Sequence, residues 1–354
     1  MVRVREAAAW PRGRVERLAH RSKALEDNPW QDPAERELCV YLPHDYSESG
    51  APLSALWDLA AFTNSGPGHL NWRNQGENLP QRLDRLIGQE KLPSVVVAMP
   101  DCYTSLGGNQ YVNSPSVGPY ADYLVDELVP LLSERFNVVE GREGRALFGK
   151  SSGGYGALYH AMHYPEVWGA AASHAGDAGF EWLFLPEFPK ACAVINAAGG
   201  DIGRFVTEFW AKNRPDGRDF MALMVIAMAA SYDPAPDSEH GIRLPFDLHT
   251  MELDPQAWAR WLEFDPLNMI ERASCQQALR GLLGLYIDVG WRDQYNIQYG
   301  NRRLQRRLQQ LGIECRYEEF DGTHSAIDWR LDTSLPWLVG ALESGRGEGA
   351  APTS

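Results

Sequence analysis

The sequence is short of positive charge. Thirty-three Lys and Arg stand against 47 Asp and Glu, a formal net charge of −14, so the chain offers little basic surface to a nucleic acid or an anionic membrane. It is also short of cysteine. The five cysteines, at 39, 102, 192, 275 and 315, are odd in number, far apart and without a Cys-x-x-Cys pair, which argues against a disulfide framework, a thiolate metal site and a redox motif. They read as reduced thiols, with Cys39 and Cys315 in strand-like runs of the core. No apolar run is long enough to cross a bilayer. The longest, from Phe220 to Ala230, is expected to be a buried helix. The segment Met1–Pro11 lacks the apolar stretch of a signal peptide, so the cytoplasm is the expected location.

At 354 residues the chain can hold two domains, or one large α/β domain with a sizeable insertion. Its centre is Arg145-Ala-Leu-Phe-Gly-Lys-Ser-Ser-Gly-Gly-Tyr-Gly156, a short apolar run, a turn of serines and glycines, and the start of an amphipathic helix. Gly149-Lys150-Ser151-Ser152-Gly153 fits G-x-S-x-G, in which small residues two before and two after a serine let strand and helix close around a strained turn. Ser152 fails the same test because Lys150 stands two before it, and its expected contribution is its backbone N–H. Tyr155, Leu158 and Met162 recur at helical spacing, and Pro165 stops the helix.

The surroundings alternate. Strands are expected over 14–24, 36–42, 53–59, 92–99, 169–174, 282–289 and 315–320. Helices are expected over 79–87, 120–135 with a kink at Pro130, 296–311 and 326–342. Strands alternating with helices imply a mostly parallel sheet with helices on both faces. Between 176 and 275 the pattern changes to helix-like runs rich in aromatics and methionine, Met221 and Met224 among them. This stretch reads as a helical cap over the nucleophile, with core segments 1–175 and 276–342 on either side and a disordered tail over 343–354. Tyr103 and Tyr111 are candidates to line a cleft.

A serine hydroxyl needs a histidine to take its proton, and the histidine needs a carboxylate to orient it; in this architecture the order is serine, acid, histidine. His324 follows the last strand by four residues, on a small-residue loop. The other histidines considered, at 20, 44, 160, 163, 174, 240 and 249, precede the elbow, ride its helix, end a strand or lie in the cap. Asp293 lies in the loop after strand 282–289 and is preferred over Asp288, which lies inside that strand; Asp321 and Asp328 are expected to fix the His324 loop or face solvent. The oxyanion donors expected are the N–H groups of Ser152 and of Ala60, with Ala61 second. Lys150 is expected to point away from the cleft into an ion pair.

Several segments together resemble the putative-esterase branch of the α/β-hydrolase superfamily, which holds feruloyl and enterochelin esterases, S-formylglutathione hydrolases and mycolyltransferase antigens. They are Val40-Tyr-Leu-Pro-His-Asp-Tyr46, Val97-Ala-Met-Pro-Asp101, Asp126-Glu-Leu-Val-Pro130, Gly149-Lys-Ser-Ser-Gly-Gly154, Gly290-Trp-Arg-Asp293 and Gly322-Thr-His324. The resemblance implies an α/β-hydrolase fold, Ser151 as nucleophile, Asp293 as acid, His324 as base, and an oxyanion loop at Asp58-Leu59-Ala60. It departs where many members carry a histidine-glycine or aspartate-glycine pair, since Asp58-Leu59 stands there, and the insertion before the acid is longer than in the smaller members. The expected activity is hydrolysis of small-molecule carboxylic esters through an acyl-enzyme, with no metal or organic cofactor, no nucleic-acid or membrane partner, and a homo-oligomer left open. The alternatives are an acyltransferase on the same triad and a catalytically silent scaffold that binds through its cap.

Overall fold

A computed structural model describes residues 10–349, with all of their side chains except those of 239, 348 and 349. Eight strands form one sheet: β1 (Arg14–Arg21), β2 (Glu35–Leu42), β3 (Ala55–Leu59), β4 (Val96–Pro100), β5 (Arg145–Lys150), β6 (Ala170–His174), β7 (Gly284–Gly290) and β8 (Arg316–Phe320). Their spatial order is β1-β2-β4-β3-β5-β6-β7-β8. β2 runs antiparallel to both its neighbours, and every other pairing is parallel. The inner strands are buried along their length, as Ala55–Leu59, Val96–Pro100 and Ala170–His174 are. A strand covered by helices on both faces gains nothing from polar alternation, which is why these segments read as unbroken apolar runs.

The order also fixes where a ligand can sit. From β3 the chain steps outward to β4 on one side, then returns to place β5 on the other side and builds away through β6, β7 and β8. In open α/β sheets the crevice at such a reversal, beyond the carboxyl ends of the strands, is where ligands bind. The loop after β3 and the turn after β5 meet there.

Helix Ser152–His163 follows that turn and packs on β5 and β6. Its residues Tyr155, Leu158 and Met162 are buried. Helix Leu79–Gly88 opens on a capping box, in which the Asn78 side chain and Gln81 satisfy each other's backbone N–H groups. The sheet's other cover includes Ile297–Gln310 and Leu331–Gly349.

Between β6 and β7 the chain is helical, from Phe180–Leu183 through Phe188–Ala197, Ile202–Ala211, Gly217–Tyr232 and Pro255–Leu262 to Ala273–Arg280. The apolar run at Phe220–Ala230 lies in Gly217–Tyr232, started by a capping box of Asp216 and Asp219. Most aromatics of this layer, including Phe184, Phe188, Phe205, Phe209 and Trp261, are its own core.

Local expectations change: the strand expected over 92–99 runs Val96–Pro100, the helix expected from 326 starts at Leu331, and three further differences have visible causes. The first strand ends at Arg21 rather than 24, because the chain turns at Ser22, whose hydroxyl accepts the Leu25 N–H. The helix before Pro130 does not simply kink: a π-helical stretch, Tyr123–Leu128, precedes Val129–Arg135 and takes up the irregularity near the proline. The tail is ordered further than composition suggests. Helix Leu331–Gly349 runs through 343–349, where Arg346 donates to the Ser54 hydroxyl and the Glu143 carbonyl. Residues 1–9 and 350–354, which carry the rest of the leader and tail readings, lie outside the described residues.

The glycine pair of the turn is tightly packed. A methyl group at Gly153 would collide with the carbonyl oxygen of Leu59, and one at Gly149 would press on the Gly153 backbone. Gly153→Ala is therefore expected to lower the free energy of unfolding by about 1–3 kcal/mol. In contrast Gly340→Ala, whose added methyl meets nothing, should hold stability or raise it by about 0.5–1 kcal/mol as a helix-interior change. Urea unfolding of both variants measures this, and equal stability of the two would show that the turn is not tightly packed.

Candidate active site

Ser151 sits between strand and helix at φ 56°, ψ −123°, a conformation a non-glycine residue adopts only where its surroundings impose it. The restraints are visible. Its N–H donates to the His174 carbonyl at the end of β6 (2.9 Å), and its carbonyl accepts from the Tyr155 N–H (2.8 Å). The serine is thus pinned at both ends while its side chain stays half-buried at the head of the sheet. Ser152, next in line, is buried and begins the helix.

His324 and Asp293 come from the loops that follow β8 and β7, two strands that lie side by side. The His324 Nδ1 and Asp293 Oδ2 are 2.8 Å apart, and both residues are buried. The His324 N–H donates to the Gln294 Oε1 (3.0 Å), the Tyr295 N–H donates to the other Asp293 oxygen (2.9 Å), and the Tyr295 ring meets the imidazole edge-on at 4.9 Å between centroids. A carboxylate on Nδ1 fixes the tautomer, so that Nε2 is the nitrogen left for a substrate-side proton.

Ser151, Ser152 and His324 line one cavity of about 410 Å³. Its other walls are largely apolar: Phe62 from the β3 loop, Leu183, Phe220, Met221 and Met224 from the layer between β6 and β7, and Ile297. Lys150 and Asp177 are its charged groups, and Ala61, Thr63, Gly217 and Tyr295 make up the rest. Ala60 does not line it. Its residue is buried and its carbonyl accepts the Tyr111 hydroxyl (2.6 Å), while the neighbouring Ala61 does face the cavity. Neither Tyr103 nor Tyr111 lines it. Tyr111 is buried beneath the loop, and Tyr103 packs edge-on against Trp210.

Lys150 departs from expectation. It has no ion pair or hydrogen bond among the described residues, and it borders both this cavity and a second, more charged one of about 310 Å³. Burial lowers its pKa, against the attraction of Asp328 and Asp293. The second cavity holds a pair that the sequence reading passed over, Asp58 hydrogen-bonded to His69. Burial works against protonation of His69, but the charge and hydrogen bond of Asp58 outweigh it and leave its pKa raised. Asp177 was equally unmarked. Burial pushes its carboxyl up to about 6, partly offset by His324 and by the Gln110 hydrogen bond. Only the fold could mark either, since His69 is eleven positions from its acid and Asp177 has no partner nearby in sequence.

The remaining histidines and acids have structural partners or face solvent. His20 meets Glu127, His160 the Tyr111 carbonyl, His163 stacks on Tyr159 and His240 on Trp30, and His44 and His249 are exposed. Asp321 pairs with Arg292 at the surface and Asp328 with Arg73. No group of three His, Cys, Asp or Glu side chains among the described residues could hold a metal ion. No helix among them is long and apolar enough to cross a membrane.

The strand order and the serine turn between β5 and its helix define an α/β-hydrolase fold. Solved structures agree: a ferulic acid esterase aligns with TM-score 0.60 at 17% identity over 93% of this chain and 99% of its own. An S-formylglutathione hydrolase from Staphylococcus aureus aligns with 0.57 at 14% over 92% and 99%. The chain belongs to the putative-esterase family, whose model matches residues 33–335. Among curated proteins it is similar to the uncharacterized protein YbbA of Bacillus subtilis, 26% identical over 41% of this chain and 58% of that one. It is also similar to Esterase Rv1288 of Mycobacterium tuberculosis, 27% identical over 46% and 34%. Its matched stretch thus spans less than two thirds of either relative.

Asp288, the rival acid, is fully engaged elsewhere. Its oxygens take the His174 Nδ1–H (2.7 Å), the Tyr286 hydroxyl (3.0 Å) and the Arg330 Nε–H (2.7 Å), and the His174 Nε2 meets the Ser334 hydroxyl (2.9 Å). Burial favours its neutral form, but His174 and Arg330 overcome that and lower its pKa. Removing one partner of a buried ion pair costs about 3–5 kcal/mol. Asp288→Asn is therefore expected to lower unfolding stability by that order in a denaturant titration. Unchanged stability would mean that this network does not hold β7 to the helix behind it.

Proposed function

We propose that the protein hydrolyses carboxylic esters through an acyl-enzyme on Ser151, with His324 as base and Asp293 as its orienting acid. The observation that carries this is the meeting in one cavity of a serine in a strained strand-to-helix turn and a histidine whose far nitrogen is held by a buried carboxylate. Family membership supports it.

In this reading the His324 Nε2 takes the Ser151 proton as Oγ attacks the ester carbonyl, and the imidazolium formed is stabilised by Asp293. The negative oxygen of the tetrahedral intermediate needs donors already in place. The Ser152 N–H supplies one, aided by the start of the helix it opens. The second comes from the β3 loop, at Ala60 or at Ala61, and the cavity lining favours Ala61. Collapse returns the proton from Nε2 to the leaving alcohol, and water repeats the sequence in reverse to free the acid. Residues 176–275 act as the cap. The apolar cavity beneath them, which Ser151 and His324 line, suits an acyl chain.

Hydrolysis of 4-nitrophenyl esters from acetate to long acyl chains tests this. Ser151→Ala should lower kcat by at least about four orders of magnitude and Asp293→Asn by about four, both with unfolding midpoints near wild type. A fluorophosphonate should label wild type and not Ser151→Ala. Retained activity in Ser151→Ala sinks the nucleophile assignment. Wild type that is labelled but frees acid only when no acceptor alcohol is present would make the protein an acyltransferase.

A further inference from the structure

Asp177 is a carboxyl group that the triad does not use, yet it faces the same cavity as Ser151 and His324. It is 5% exposed. One oxygen, Oδ2, accepts the Gln110 Nε2–H at 3.0 Å, and Gln110 also donates to the Tyr232 hydroxyl at 2.9 Å. The other oxygen, Oδ1, has no hydrogen bond among the described residues and is not among their fully occluded polar atoms, so it opens on the cavity. A carboxylate among Phe62, Leu183, Phe220, Met221 and Met224 is costly to keep unless something it meets repays the desolvation. Its holder is also held under strain: Gln110 and Tyr111 are consecutive non-glycine residues at φ 57° and 58°. One of the two side chains fixes Asp177 and the other fixes the Ala60 carbonyl. The strained pair thus holds the cavity's carboxylate with one side chain and the β3 loop beside the cavity with the other.

Building on the ester-hydrolase reading, we propose that Asp177 Oδ1 accepts a hydrogen bond from a hydroxyl group on an aliphatic acyl chain held in this cavity. The surroundings select a neutral donor over an ammonium. Lys150 borders the same cavity, and His324 gains positive charge as it takes the Ser151 proton, so a substrate cation would sit against one charge already present and a second that forms in the transition state. The flexible Met221 and Met224 side chains suit an aliphatic chain.

The test compares 4-nitrophenyl hexanoate with esters that carry one hydroxyl at successive chain positions, and with amino-substituted counterparts. At one position the hydroxylated ester should have a kcat/KM about tenfold or more above the plain ester, as expected for a hydrogen bond to an ionised group. That ratio should fall to near one in Asp177→Leu and partly in Asp177→Asn. Fluorophosphonate labelling shows which variants keep a reactive Ser151. Wild type needs no variant to speak: if it cleaves the plain ester and prefers no hydroxyl position, or prefers the amino esters, the inference is overturned. If wild type cleaves none of these esters and is not labelled, it is the hydrolase reading that fails.

Discussion

The closeness of Gly153 to the Leu59 carbonyl is the constraint on which the rest of the site depends. With hydrogen as its side chain, residue 153 lets the helix after β5 press against the loop after β3. That approach brings Ser152, at the helix start, and Ala61, on the loop, to the wall of the same cavity. Were the helix displaced by the width of a methyl group, the serine turn would lose its bond to the His174 carbonyl or the β3 loop would have to move. The N–H groups of Ser152 and Ala61, proposed as oxyanion donors, would separate. Positioning errors of that size matter because catalysis by prearranged donors falls steeply with misplacement.

Pairing a histidine with a carboxylate does not by itself mark the base. Three such pairs lie in or near the head of the sheet, Asp58 with His69, Asp288 with His174 and Asp293 with His324. The second even continues to a serine, Ser334, in the order of a catalytic relay. Ser334 is completely buried, however, and Asp288 spends its lone pairs on Arg330 and Tyr286, so that chain of bonds is a cross-brace between β6, β7 and the last helix. The first pair faces the charged chamber, beside Lys150. Only His324 shares the cavity of Ser151. Access, set by strand ends and loops, separates the three pairs.

This is also the measure of what could be read from the sequence. The turn at 149–153, the order serine, acid, histidine, and the preference for Asp293 over Asp288 follow from local spacing and from the rule that loop residues at strand ends reach across. The sheet was legible because fully buried strands are continuous apolar runs. What escaped depends on contacts distant in sequence. Lys150 reads like any residue of a turn, and only the folded chain shows it bordering two cavities with no ion pair or hydrogen bond among the described residues. The helix over 343–349 is held by Arg346 reaching Ser54 and Glu143, 292 and 203 positions away, so a glycine-rich composition misleads there.

The aromatic and methionine-rich region divides in a way that composition could not have fixed. Phe184 and Phe188 pack edge-on against Trp261, and Phe188 also meets Phe246, to make a small core, which lets the layer hold its shape above the sheet. Phe220, Met221 and Met224 lie near the amino end of helix Gly217–Tyr232 and face downward into the cavity, while Met228, a turn further on, is buried. One helix therefore serves as both wall and anchor. Its carboxyl end is tied through Tyr232 to Gln110 and so to Asp177, and beyond it Asp233 is gripped by Arg243 and Arg260. The polar contact to the cavity thus sits at the braced end of the helix and the adaptable apolar contacts at the other. A pocket built this way can adjust to the bulk of a chain while holding one hydrogen-bonding point fixed.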